Sequence, residues 1–284
     1  MVEGMENIFE PILVPLTDVI KETPTIKTFV MRPDPPILFR AGQFMQLTVP
    51  GVGEAPFTPS SSPYEPEQME ITILKTGMVT DVLHQLKPGD IVGLRGPFGK
   101  GYPLEKFYGS ENRSASGGKE ILVVGGGVGL APLRSLLLAL FHDIDKVRRV
   151  SIKYGAKKPE ELVYRRLFEQ WSHIHKVDLT ITIDTPAPGW TGNIGLVTEL
   201  LKNLDIDLSN SYAVSCGPEI MLKFVTLTLL SEKFQPSQIY LSMNRNMSCG
   251  MGICGRCNVG PYYLCKDGPD MNYEKIKDIP YVLG

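Results

Sequence analysis

Four cysteines near the C-terminal end constrain this chain more than any other feature. They run Cys249-Gly-Met-Gly-Ile-Cys254-Gly-Arg-Cys257, and Cys265 follows after seven residues, a C-x4-C-x2-C-x7-C spacing. Three ligands from one loop and a fourth returning from further on is the plant-type iron–sulfur arrangement. A loop that wraps inorganic sulfide needs positive φ values and amides turned inward, and Gly250, Gly252 and Gly255 supply both at least steric cost. Structural zinc draws its thiolates from two well-separated short pairs, and here only Cys254 and Cys257 form one. The spacing favours a 2Fe–2S cluster over a zinc knuckle or a set of unliganded buried cysteines. Such a cluster carries single electrons and makes no bonds.

The 284 residues are 43 % apolar, enough for two domains with cores of their own. The net charge of −2 gives no basic footprint for nucleic acid. Five cysteines, one more than the cluster uses, and no signal-peptide pattern predict reduced thiols and a cytoplasmic location. The apolar run over 121–141 is broken by glycines 125–127 and 129, Pro132 and Arg134. It therefore predicts a buried strand, a turn and a helix, and no transmembrane segment is expected. His84, His142, His173 and His175 show no metal spacing.

Short strands with Pro and Gly punctuation fill residues 10–104: 11–20, 25–31, 43–49, 69–74 and 91–95. That pattern predicts a small antiparallel barrel. Val79, Val82, Leu83 and Leu86 mark one helix among them, with Thr80 near its start as a possible cap. Residues 105–119 are polar and rich in Ser and Gly, and predict a linker. Beyond it, strands at 121–124, 149–154, 178–183, 211–215 and 238–243 alternate with helical segments, which predicts right-handed βαβ crossovers and a doubly wound parallel sheet. Val163, Leu167 and Trp171 predict one amphipathic helix after Pro159. From residue 244 the chain is expected to leave the sheet for the cluster loop.

Gly125, Gly126, Gly127 and Gly129, followed by Ala131-Pro132, close a hydrophobic strand and open a helix. Such a turn lets a pyrophosphate approach free helix amides, but glycine serves tight strand–helix packing equally well. The run is not G-x-G-x-x-G, and the second strand ends Gly155-Ala156-Lys157-Lys158 rather than on an acid. Residues 55–63 (APFTPSSSP) read on their own as a strand end, and Cys216 as a small buried hydrophobe.

Taken in order, these motifs resemble a known family. Cys249–Cys265 with the following Lys-Asp-Gly-Pro, the GGGxGxAP run with its Tyr-Gly-Ala turn, and Cys216-Gly217-Pro218 are similar to ferredoxin–NADP reductase-like electron-transfer subunits. Among these are the gamma subunits of cytoplasmic nickel–iron hydrogenases (sulfhydrogenases) and the electron-transfer subunits of anaerobic sulfite reductase and of dihydroorotate dehydrogenase. The resemblance implies a six-stranded antiparallel FAD-binding barrel (1–104), a linker (105–119), an NAD(P)-binding domain (120–243) and a C-terminal 2Fe–2S lobe (244–284).

It also implies roles for residues. Phe57 would face the flavin and Thr58 its N5 edge, with Pro59 and Ser60 beside them. Ala55 stands where many members carry an arginine for the flavin pyrophosphate, which passes that task to the backbone of Gly77, Met78, Val79 and Thr80. Gly125, Gly126, Gly127 and Gly129 would hold the nicotinamide nucleotide. Cys216, with Gly217 and Pro218 shaping its turn, would lie beside the nicotinamide ring. Lys157 replaces a family arginine near the adenosine ribose and tilts the choice toward NADP(H). Cys249, Cys254, Cys257 and Cys265 would bind the cluster. The implied activity is hydride exchange between NAD(P)(H) and FAD, with single electrons passed to iron–sulfur and catalytic partner subunits. Residues 50–56 resemble the hydrogenase gamma subunits, whereas the short gap before Cys265 resembles the sulfite reductase protein. The loss of arginine at Ala55 leaves a second class of reading open, a flavin-free relay.

Overall fold

β-Branched and aromatic residues alternate with polar ones through the first hundred positions, and the chain answers with a barrel. A computed structural model describes residues 9–109 and 118–283. The barrel strands are β1 (Ile12–Lys21), β2 (Ile26–Met31), β3 (Phe44–Val49), β4 (Gly53–Phe57), β5 (Met69–Leu74) and β6 (Ile91–Phe98). They pair antiparallel in the order β4-β3-β6-β1-β2-β5, and a bridge from Pro59 to Ile71 joins the two edges. β4 ends within residues 55–63, which read on their own as a strand end, while Gly51, Gly53 and Pro56 conceal where it begins. Inside lie Leu16, Phe29, Leu47, Ile71 and Leu94, and Leu83 of helix α1 (Met78–Leu83) is buried with them. The resulting apolar interior leaves the polar residues of the same strands to face outward.

The expected linker begins with structure. Helix α2 (Leu104–Tyr108) buries Phe107 against Tyr212 and Tyr240, with ring centroids 5.3 and 5.7 Å apart. An aromatic anchor of this size offsets the weak propensity of a five-residue helix. Residues 110–117 of that stretch lie outside the described residues.

The second domain is a sheet in the order β10-β9-β8-β7-β11-β12-β15. Its parallel strands are β7 (Glu120–Gly126), β8 (Arg149–Ala156), β9 (Val177–Ile183), β10 (Asn193–Ile194), β11 (Ser211–Cys216) and β12 (Ile239–Ser242). Alternate residues of β7 serve opposite faces. Ile121 and Val123 pack with helix α3 (Leu130–His142), and Leu122 and Val124 with the apolar face of α5 (Glu219–Ser231). Both faces are covered, as a parallel sheet requires.

Two expectations need correction here. The amphipathic helix after Pro159 is broken into a 3-10 turn at Pro159–Glu161, another at Arg165–Leu167, and α4 (Phe168–Ser172). Tyr164 between them is left-handed, with φ 59°. Its hydroxyl donates to Thr72 of the barrel at 2.6 Å, and the Val163 amide donates to the Tyr154 hydroxyl at 3.0 Å. Tertiary hydrogen bonds have taken the segment out of helical register. The chain also does not leave the sheet for good at residue 244. After the hairpin β13 (Asn258–Val259) and β14 (Tyr262–Tyr263) and helix α6 (Leu264–Asp267), strand β15 (Asp270–Asn272) returns and pairs antiparallel with β12.

The barrel and the sheet are joined by a buried polar latch. Arg134 of α3 pairs with Glu70 and donates to the Ser60 carbonyl at 2.9 Å, and its guanidinium lies 4.9 Å from the Tyr164 ring centroid. Arg166 reaches Glu22 at 2.8 Å, and Tyr64 stacks on His142 while donating to Asp143 at 3.0 Å. These contacts hold the two walls of the cleft described next.

Candidate functional site: a two-domain cleft and a thiolate loop

β7 lies at the centre of the parallel sheet. The chain runs outward from it through β8 to β10, then returns on its other side through β11 and β12. The crevice at such a reversal is where open α/β sheets take ligands. Gly125 and Cys216 are register partners across it. The four glycines divide their work. A side chain at Gly129 would strike the Cys216 carbonyl, and one at Gly126 the Met221 sulfur. Gly127 is different: its φ is +54°, and nothing lies within 4 Å of where a Cβ would stand. Gly127 therefore opens the turn toward the first amides of the thirteen-residue α3, while the others permit close packing.

The facing wall belongs to the barrel. A cleft of about 700 Å³ runs between the domains, lined by Phe57, Thr58 and Thr80 on one side and by Gly126, Gly127, Gly129, Cys216, Gly217 and Pro218 on the other. Apolar walls with a few convergent polar groups suit a flat cofactor. Pro59 and Ser60 stand behind this wall. Ser60 is wholly buried, its hydroxyl within 3.0 Å of Thr72, and it belongs to the latch rather than the cleft. Thr80 is not the cap of α1. It sits one turn inside, and its Oγ1 accepts from the amides of Thr76 (2.8 Å) and Gly77 (2.9 Å). The Gly77 amide expected to help hold a phosphate is thus already engaged, and a six-residue helix has little dipole to add. Met78 points to solvent and Val79 packs with the barrel core, so only Thr80 of the four reaches the cleft.

Burial pushes the Cys216 thiol up to about 12, with Ser242 opposing the rise. A thiol so protonated supplies bulk and shape rather than a nucleophile. Lys157 is exposed on the cleft rim. Two acids accompany it that the motifs did not reveal. Glu161 lines the same cleft, and Asp184 at the end of β9 is raised by burial and lowered by the nearby Lys157 charge. An acid ending the third strand rather than the second is the signal that was available.

The thiols form two pairs. Cys257 and Cys265 sulfurs lie 3.2 Å apart, and Cys254 neighbours Cys249. Among the described residues no three His, Cys, Asp or Glu converge as one ion would require. Tetrahedral zinc needs four ligands about one point, whereas a two-iron cluster is held by two thiolate pairs. The residues fit the second arrangement. Burial alone would raise Cys249, but the amides of Cys254, Met251 and Ile253 outweigh it and bring the thiol to about 6. Cys265 is pushed up to about 12 by burial and by Cys257, and the Gly252 amide points at its sulfur from 2.9 Å. Gly250, Gly252 and Gly255 all have φ between +74° and +79°, which turns those amides inward. Cys257 and Cys265 are buried and Cys254 is exposed, so the loop presents one edge to solvent.

The loop is seated on the barrel by residues that no motif marks. Gln46 Nε2 donates to the carbonyls of Met247 (3.1 Å) and Ser248 (3.4 Å), and Arg95 Nη1 to that of Cys249 (3.3 Å). Their signal in the sequence is only a Gln and an Arg inside otherwise apolar strands.

A barrel and a switch-point crevice sharing one cleft, with a thiolate loop fixed beside them, define a nicotinamide-dependent flavoprotein reductase with an iron–sulfur extension. The family descriptions that match follow the same division: an oxidoreductase FAD-binding domain over residues 13–102, an oxidoreductase NAD-binding domain over 123–226, and the iron–sulfur cluster binding domain of dihydroorotate dehydrogenase B over 244–277. The chain is 35 % identical over 272 residues to the sulfhydrogenase 1 gamma subunit of Pyrococcus furiosus, covering 92 % of this chain and 90 % of that one. It is 34 % identical to a probable dihydroorotate dehydrogenase B electron-transfer subunit of Methanocaldococcus jannaschii, covering 95 % and 93 %. A chain from an NADH-dependent reduced ferredoxin–NADP oxidoreductase shares the fold, with a TM-score of 0.75, 24 % identity, and coverage of 99 % and 94 %. This chain belongs to the family of FAD- and NAD-binding iron–sulfur electron-transfer subunits that includes those of the sulfhydrogenases and of dihydroorotate dehydrogenase B. Its FAD-binding domain supports a flavoprotein rather than a flavin-free relay. No helix among the described residues is long and apolar enough to cross a membrane.

Proposed function

We propose that this chain is the NAD(P)H diaphorase subunit of a cytoplasmic nickel–iron hydrogenase, with FAD in the cleft and a 2Fe–2S cluster on the thiolate loop. Flavin exchanges a hydride with nicotinamide and single electrons with a cluster, so the two groups together convert electron pairs to single electrons. The chain's own residues supply placement. Phe57 and Thr58 present a flat face and a hydroxyl to the flavin, Cys216 fills space beside the nicotinamide, and Gly127 admits the pyrophosphate to the α3 amides. Cys249 with Cys254, and Cys257 with Cys265, are the ligand pairs. The exposed Cys254 edge faces iron–sulfur and catalytic partner subunits. The domains divide at 1–104, 120–243 and 244–284, with residues 105–119, which include most of α2, connecting the first two.

The pairing of thiols carries the cluster assignment, and the likeness to sulfhydrogenase gamma subunits carries the hydrogenase assignment. A second reading, electron transfer to a dihydroorotate dehydrogenase, is favoured by the origin of the matching cluster domain. Purification from the native host separates them: hydrogen-dependent reduction of NAD(P)+ by the co-purifying complex supports the first, and NAD-dependent dihydroorotate oxidation the second. Cys254→Ser should abolish or greatly weaken the electron paramagnetic signal while NAD(P)H still bleaches the flavin. Stoichiometric zinc without iron would refute the cluster.

A further inference from the structure

We propose that Glu54 and Arg95 form a charge-compensated seat that fixes the first cluster ligand to the barrel wall without shifting the cluster's reduction potential, because each charge offsets the other. The seat presupposes the cluster reading of Cys249–Cys265 and adds to it two residues remote in sequence. On β3, Gln46 and Thr48 lie two apart and share a face. Arg95 is the register partner of Gln46, and Glu54 that of Thr48. The strands thus place four polar side chains in one patch beneath the loop.

The Arg95 side chain is only 5 % exposed. A guanidinium that deep is costly unless paired and hydrogen-bonded. Its Nε and Nη2 make a fork on Glu54 at 2.9 and 2.5 Å, and Thr48 Oγ1 donates to the same carboxylate at 3.0 Å. The remaining nitrogen, Nη1, donates to the Cys249 carbonyl at 3.3 Å. The next residue, Gly250, lies so close to the Phe98 ring that a Cβ there would come within 2.8 Å, and the Arg95 guanidinium is 5.3 Å from the same ring's centroid. Together with the Gln46 contacts, barrel side chains thus hold the backbone of residues 247–250, while Met247 packs in the core shared with the nucleotide domain. The first ligand therefore keeps a set position relative to the flavin wall.

A neutral amide could hold a carbonyl as well. A full ion pair at this position has a second consequence. Reduction adds one negative charge to a cluster, which a nearby cation favours and a nearby anion opposes. In the pair the two influences largely cancel. Removing either partner unbalances them with opposite sign, which loosening of the loop would not do.

The test is an EPR-monitored redox titration of the full chain at pH 8, with flavin and iron measured on each sample. Glu54→Gln should raise the midpoint potential and Arg95→Met should lower it. Each should change the reduced-to-oxidised ratio at fixed poise by about 15- to 30-fold, the size of one charge roughly 8–10 Å away at an effective dielectric near 20. The double variant should return close to wild type. Arg95→Met should also lower iron per flavin, because the Cys249 carbonyl loses its donor. If Arg95→Met holds no cluster, the sign in Glu54→Gln decides: a rise supports the seat, and no change or a fall overturns it. Single variants that shift together, or not at all, overturn it too. Wild type without iron and inorganic sulfide overturns the cluster and the seat with it, whereas a loaded wild type with unmoved variants overturns the seat alone.

Discussion

Asp270 offers the sharpest test of the packing around the cleft. It sits on β15 opposite Ser242, and a side chain at Gly42 would strike its carboxylate and meet the Tyr102 ring. Neither carboxyl oxygen finds a hydrogen-bond partner of normal geometry, and the Tyr102 hydroxyl finds none either. Burial pushes the carboxyl up to about 7, against the pull of Tyr102 and Ser242. The folded chain therefore keeps the proton to about pH 7, while the unfolded chain releases it near 3.8. Between those values the native state binds more protons, so stability falls as pH rises. The contribution is complete below about pH 4 and lost through pH 7, at about 1.4 kcal/mol per pH unit. Asp270→Asn keeps the shape and removes the proton. Relative to wild type, its stability should gain about 3 kcal/mol between pH 5 and pH 8, or roughly 5–10 °C in melting temperature for a chain of this size. Thermal unfolding of both proteins across that range, with iron and flavin contents matched, measures the difference. Acid loss of the cluster affects both alike and cancels. Melting curves that stay parallel from pH 5 to pH 8 would refute the reasoning.

Three further outcomes rest on the same contacts. Arg134→Ala strands Glu70 at the domain junction and should cost about 3–5 kcal/mol, read as a lower denaturant midpoint; a change under about 1 kcal/mol would mean that the latch is ornamental. Thr58→Ala removes a hydrogen bond worth about 1–3 kcal/mol and should slow flavin reduction in stopped flow more than it weakens nucleotide binding; equal reduction rates would count against Thr58. NADPH should be preferred to NADH by no more than about fivefold, because Asp184 offsets Lys157 on an exposed rim. Lys157→Glu should erase that preference and Asp184→Asn widen it, and steady-state ratios that ignore both would place specificity elsewhere.

Ligand spacing, the order of the domains and most of the strands are legible in the residues alone. C-x4-C-x2-C and the glycine-closed strand at Gly125 are local patterns, and their chemistry depends on near neighbours. Alternation likewise marks β2, β3 and β5 within a residue of their observed bounds. What joins these parts comes only from the folded chain. The helix expected after Pro159 breaks because Tyr164 bonds to Thr72, 92 residues away in sequence. Ser60, expected at the flavin, is drawn into the latch by Arg134. Asp270 and Met271 close the sheet as an edge strand too short to leave a periodic signal. Gln46, Glu54 and Arg95 read as scattered polar residues until β3, β4 and β6 bring them under one loop. Each of these contacts lies between residues whose separation in the chain exceeds any pattern window, and burial makes their pairing compulsory.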